Sequence, residues 1–149
     1  YVLRSQGNVR LIQNNELLIE NVLRKVYGTK LVIFDHHYLE KQTNKFQAQI
    51  NLFKNARIVI GPHGAGLSNI LFSNKKTKLI EFIMNPNCNL CFQYLADVKN
   101  ISYYPIDLFT SYYHTNYTFE SKHVQPLIRI LQNIGNNTYP PLDFVKINK

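Results

Sequence analysis

Ala56-Arg57-Ile58-Val59-Ile60-Gly61-Pro62-His63-Gly64-Ala65-Gly66-Leu67-Ser68-Asn69-Ile70-Leu71-Phe72 runs from a branched apolar stretch, through three glycines, into a second apolar stretch. Residues 56–60 read as a buried strand and residues 67–72 as the helix that follows a glycine-rich turn. Gly61, Gly64 and Gly66 permit positive φ and remove Cβ atoms that would block a phosphate. The first N–H groups of a helix have no partner within it, and its dipole adds partial positive charge, so a diphosphate fits there physically. His63 can donate to a phosphate oxygen or, when protonated, offset the charge of a leaving nucleotide. Rival motifs fail on inspection: no Gly-Lys-Ser/Thr follows, the spacing is not G-x-G-x-x-G, and no G-x-S-x-G elbow accompanies His63-Gly64. From the residues alone, a tight structural turn holding a satisfied histidine remains an equal reading.

Outward from this loop, strand and helix patterns alternate. Tyr1-Val2-Leu3 is a short apolar run ending in polar residues. Leu18, Val22 and Val26 recur at helical spacing, with Glu16 in the first turn, Asn14 as expected N-cap and Gly28 as expected stop. Residues 30–35 carry Leu-Val-Ile-Phe, a strand, and residues 42–54 place Phe46, Ile50 and Phe53 at helical spacing. After the loop come a strand over 78–83, a helix over 90–99, a strand over 101–106, a loop with Tyr112, Tyr113 and Tyr117, and a helix over about 120–134. Alternation with continuous apolar strands predicts an α/β fold: a doubly wound, Rossmann-like parallel sheet covered on both faces. One domain is expected over residues 1–135, with an irregular tail over 136–149.

Composition narrows the function classes. The chain has 149 residues, 45% of them hydrophobic and 13% aromatic, which suits one globular domain with a real core. Seventeen Lys and Arg against nine Asp and Glu give a net charge of +8. The densest basic group, Lys75, Lys76 and Lys78, falls short of a nucleic-acid arm, and no RNA-binding motif interleaves aromatic with basic residues. The charge reads as a solvated face, and no nucleic-acid partner is expected. No run of eighteen apolar residues marks a membrane span, and residues 1–149 carry no signal-peptide pattern, which means little in a sequence that starts within an apolar run without Met.

Three smaller features remain. Cys88 and Cys91 form an isolated C-x-x-C without a second ligand pair, which reads as one disulfide or two packed thiols. Asp35-His36-His37 resembles a motif of manganese phosphoesterases, but Asp97, Asp107 and Asp143 stand in no matching motif, so a polar strand end accounts for it and no metal site is expected. Asn100-Ile101-Ser102, Asn116-Tyr117-Thr118 and Asn136-Asn137-Thr138 are glycosylation sequons, in keeping with an ER or Golgi address.

The string GPHGAGLSNILF, with ARIVI before it and KLIEF after it, resembles the signature of glycosyltransferase family 61. Residues 10–17, RLIQNNEL, resemble the family's R-x-I-x-N-x-x-E-L segment, one residue shorter before the Glu. Residues 46–56, FQAQINLFKNA, resemble its F-x-E-Q-v-x-L-F-x-N-A helix, with Ala48 where an acid is usual. The matches cover about residues 1–83 in family order. That family includes plant xylan arabinosyl- and xylosyltransferases and animal enzymes that add N-acetylglucosamine to protein-linked sites.

The resemblance implies the C-terminal, donor-binding lobe of a two-lobed GT-B enzyme that inverts the anomeric carbon, uses a UDP-sugar and needs no cofactor or metal. It implies that Arg4 and Arg10 flank the diphosphate, with Arg4 displaced by the longer spacing of residues 5–9. Gly61, His63, Gly64, Ala65, Gly66 and Leu67 would wrap the donor, with His63 as the catalytic group. Glu81, ending the next strand, would accept hydrogen bonds from ribose hydroxyls. Gln49 and Asn14 would brace the loop. The implied partners are a nucleotide sugar, a glycan or glycoprotein acceptor, and an upstream N-terminal lobe that supplies the base; any membrane anchor lies outside this segment. A non-catalytic binding or scaffold domain would keep the ligand and lose the transfer.

Overall fold

A computed structural model describes residues 1–3, 11–13, 18–83, 87–108 and 116–134. Strands β2 (Ile58–Pro62), β3 (Lys78–Ile83) and β4 (Ser102–Asp107) form a parallel sheet in the order β2-β3-β4. In β2 and β3 the near-continuous apolar sequence follows from burial on both faces, whereas β4 buries only Ile106. Ile60, Ile80, Phe82 and Ile106 point into one core, whereas Val59 and Leu79 point into the other.

The β2 edge is extended by residues from the start of the chain. Val2 N–H donates to the Ile60 carbonyl at 2.8 Å, and on its other side Val2 bridges Phe34 in parallel. The spatial order is therefore Phe34, Val2, β2, β3, β4. The chain steps outward from Val2 to Phe34 and then crosses back to β2, so the winding reverses between Val2 and β2. That reversal is the topological switch point, where doubly wound sheets open a crevice beyond the strand ends. A separate two-stranded ribbon pairs β1 (Leu11–Gln13) with β5 (Asn116–Thr118) in parallel.

Both sheet faces are covered. On one lie the turns from Leu18 through α1 (Arg24–Tyr27) and, late in the chain, α5 (Ser121–Ile134). Helix α5 buries Val124, Leu127, Ile128 and Leu131, the i, i+3, i+4, i+7 stripe of an amphipathic helix. On the other face lie α3 (Lys45–Asn55), a 3₁₀ helix (Ala65–Phe72) and α4 (Cys91–Lys99), around Phe53, Leu67, Ile70, Phe92 and Ala96. Asn44 caps α3 by accepting from Gln47 N–H at 3.0 Å, and Asn100 ends α4 in the left-handed conformation at φ 54°.

Several expectations are corrected. The segment expected as a strand over 30–35 starts with a 3₁₀ turn, Gly28–Lys30. Among the described residues it touches the start of the chain through the Phe34 bridge to Val2 and the Val32 carbonyl, which accepts from the Tyr1 ammonium at 2.8 Å. Gly28 stops the preceding helix as expected, at φ 53° with its N–H on the Arg24 carbonyl. That helix is not uniformly α, since Ile19–Leu23 is π-helical. A short helix α2 (His36–Glu40) occupies a region expected to be a polar strand end, because Asp35 Oδ1 accepts from Tyr38 N–H at 2.8 Å and starts a helical turn. Phe46, on the expected apolar face of α3, is 65% exposed; the one fully buried residue of that helix is Phe53. The element after the glycine loop is 3₁₀ and begins two residues early. Tyr117 sits in β5. Residues 136–149, Asn14, Glu16, Tyr112 and Tyr113 lie outside the described residues.

Candidate functional site

The glycine loop leaves β2 at the switch point, and parallel register decides what it meets. Gly61 stands opposite Glu81 and Pro62 opposite Phe82. One residue further, His63 N–H donates to the Phe82 carbonyl at 3.0 Å, which fixes the backbone as the strand ends. The imidazole then lies over β3, where Nδ1 and Glu81 Oε1 are 2.5 Å apart. Both groups are buried, His63 at 7% and Glu81 at 1% exposure. A carboxylate this deep is stable only if its oxygens are hydrogen-bonded. The second oxygen, Oε2, accepts from the Tyr103 hydroxyl of β4 at 2.7 Å. The Phe92 ring of α4 closes the site, edge-on to His63 with centroids 5.0 Å apart.

The inventory of donors limits the pair: a carboxylate only accepts, so a hydrogen bond between a carboxylate at Glu81 and His63 requires the proton on Nδ1. Burial and the Glu81 bond push the Tyr103 phenol well above its ordinary range, so it stays a donor at any physiological pH. Burial and the charge of Glu81 also push the Cys91 thiol up.

The three glycines differ in role. Gly64 adopts φ 153° and ψ 173°, a region essentially restricted to glycine. Gly61 and Gly66 do not have positive φ; they are glycines because Val2 presses on them. A Cβ on Gly61 would stand 2.9 Å from Val2 Cβ and 3.1 Å from Leu67 Cδ2, and one on Gly66 would stand 2.6 Å from Val2 Cγ1. The loop is also braced from behind. Gln49 of α3 donates to Asn69 Oδ1, and Asn69 Nδ2 donates to the Gly66 carbonyl at 2.9 Å.

The expected residues Gly61, His63, Gly64, Ala65, Gly66, Leu67 and Glu81 thus gather at one end of β2 and β3. Ala65 is exposed while Leu67 is fully buried beneath the loop. Glu81 does not face outward for a ribose; its two oxygens serve His63 and Tyr103 inside the protein. Arg4 and Arg10 lie outside the described residues. Gln49 braces the loop as expected, through Asn69. Tyr103 and Asn69 carry no sequence signal of their own, since their partners are set by sheet register and by helix packing.

The other candidates resolve differently. Asp35 serves as the α2 cap, and His36 and His37 stack with ring centroids 3.8 Å apart on its exposed surface. Cys88 and Cys91 are not joined by a disulfide. Asn100, expected beside a buried strand, is exposed in the turn before β4. Among the described residues no helix is long and apolar enough to cross a membrane. A broad depression of about 1750 Å³ lies elsewhere: Arg57, Lys76 and Lys78 line it, and neither residues 61–67 nor Glu81 do. Its size carries less weight than the buried polar triad, since lysines on an open surface are normally solvated.

Fold and site together define an α/β domain of Rossmann-like layout with a glycine loop and a buried His–Glu pair at its switch point. The chain belongs to the glycosyltransferase 61 family, whose sequence profile matches residues 1–80. It is also similar to the EGF domain-specific O-linked N-acetylglucosamine transferase of Gallus gallus, at 31% identity over 100 residues. That match covers 67% of this chain and 18% of the relative.

Proposed function

We propose that this chain is the donor-binding part of an inverting glycosyltransferase that moves a sugar from a UDP-sugar to a glycan or protein-linked hydroxyl. The observation that supports this most is the His63–Glu81 pair, buried beside the glycine loop at the ends of adjacent parallel strands. An ionised carboxylate on Nδ1 favours the imidazolium form, and a cation at that place offsets the charge that develops on a departing diphosphate. The acceptor oxygen attacks the anomeric carbon. The bond from that carbon to the β-phosphate oxygen breaks with its electron pair on UDP, and the acceptor proton passes to a base from an upstream lobe. Arg4 and Arg10 are proposed to pair phosphate oxygens, with no metal or cofactor invoked.

The name of the Gallus gallus relative points to N-acetylglucosamine as the sugar and to a folded protein module as acceptor. A GT-B arrangement and an ER or Golgi lumen belong to the same reading, the latter favoured by the exposed Asn100 sequon. Calorimetric titration of UDP into the full-length protein, with and without Mn²⁺, tests it. Metal-independent binding that a His63→Ala/Arg10→Ala double variant loses is the expected result. A folded wild-type protein that ignores UDP overturns it.

A further inference from the structure

Glu81 lies in the β3 register opposite Pro105, and Tyr103 opposite Leu79. Tyr103 is thus the diagonal neighbour of Glu81 on the same sheet face, within reach of an aromatic side chain. Its hydroxyl donates to Oε2 while His63 takes Oε1, so one buried carboxylate is held from two sides, by a donor just past the end of β2 and a donor on β4. Among the described residues, His63 is the basic group paired with Glu81. The other titratable groups here are acidic or neutral: the charge of Glu81 acts on Cys91 of α4, and Cys88 and Asp107 act on Tyr103. The phenol is therefore the group that competes with His63 for the charge of Glu81.

We infer that Tyr103 is a positioning residue. Its hydroxyl fixes the carboxylate plane so that Oε1 meets His63 Nδ1, and by drawing charge to Oε2 it limits how strongly Glu81 holds a second proton on the imidazole. A hydrogen bond to a carboxylate stabilises the charged form most when no cation shares that charge. Tyr103 therefore weakens the hold of Glu81 on the second imidazole proton of His63. The role in transfer rests on the proposed function above, but the effect on His63 is a property of the free protein.

The test is an NMR titration of the His63 ring, with isotope-labelled histidine, in the full-length protein without nucleotide. Two readouts are followed: the pH of ring protonation and the chemical shift of the Nδ1 proton, which reports the bond to Glu81 even if the ring does not titrate. Tyr103→Phe keeps the ring and is expected to raise the protonation pH by roughly half a unit to one unit and to move the Nδ1 proton downfield. Site-specific 3-fluorotyrosine at position 103, a stronger donor, is expected to shift both the opposite way, which a packing role would not do. It also carries the test if Tyr103→Phe does not fold. Glu81→Gln, lowering the protonation pH, calibrates the response. If His63 is unmoved by both Tyr103 replacements while Glu81→Gln shifts it, the inference is overturned, whatever UDP binding shows.

Discussion

Val2 Cγ1 lies 2.6 Å from the point where a Cβ on Gly66 would stand. Val2, bridged between Phe34 and β2, therefore acts as the mould for the glycine loop, and the loop's close approach to it sets the shape of the switch point. Gly66→Ala is expected to destabilise the protein by about 1–3 kcal/mol, the range for overpacking. Because the clash is with a side-chain methyl, Val2→Ala should relieve part of it, giving a favourable coupling in a urea-unfolding double-mutant cycle. Gly61→Ala meets Val2 Cβ at 2.9 Å and the Val2 carbonyl at 3.3 Å, which Val2→Ala leaves in place. Its cost should persist in the double variant.

Removal of the buried carboxylate should be felt in stability as well as in binding. Glu81→Leu leaves His63 Nδ1 and the Tyr103 hydroxyl without their acceptor in a site closed by Phe92. Stranded buried donors cost about 1–3 kcal/mol each. Denaturant midpoints for Glu81→Leu and Tyr103→Phe should rank in that order, since the second strands only one lone pair of Glu81.

Acid sensitivity is expected to come in part from His123. Its Nδ1 accepts from Glu120 N–H at 2.9 Å at the start of α5, the reciprocal half of a capping box. Desolvation by burial, with Lys122 adding to it and Glu120 opposing it, holds the imidazole below its ordinary range. A depressed histidine binds fewer protons folded than unfolded. No stability is lost on this account above about pH 6.5, the unfolded value, and stability falls as pH drops below it. His123→Gln keeps an acceptor for Glu120 N–H and cannot titrate, so its melting temperature should fall less than that of wild type between pH 7 and pH 5.

The Asp35 carboxylate is accounted for by capping. Asp35→Ala should cost about 1 kcal/mol through loss of the bond to Tyr38 N–H. Added Mn²⁺ should leave the thermal midpoints of both proteins unchanged; a manganese-dependent rise in wild type alone would restore a metal role for Asp35 and His36.

Much of the architecture was legible because local sequence matched the final environment. Residues 78–83 form β3 as read, and the α5 stripe needed no context, since apolar spacing encodes burial directly. The reading failed where a few polar contacts decide. Asp35 starts a helix where a strand end was expected, and Phe46 keeps its helical spacing yet faces outward, because periodicity names a face but not what covers it. The glycine loop was legible as a site, and family resemblance gathered its members.

By itself, the sequence determined a parallel α/β domain of the glycosyltransferase 61 family, with His63 and its glycines at a strand end. Only the tertiary structure decided that Glu81 faces inward to His63, that Tyr103 is its second donor, and that Val2 demands glycine at 61 and 66. These are contacts between residues 18 or more positions apart in sequence. They are fixed by parallel register and strand order, which no local pattern of residues records.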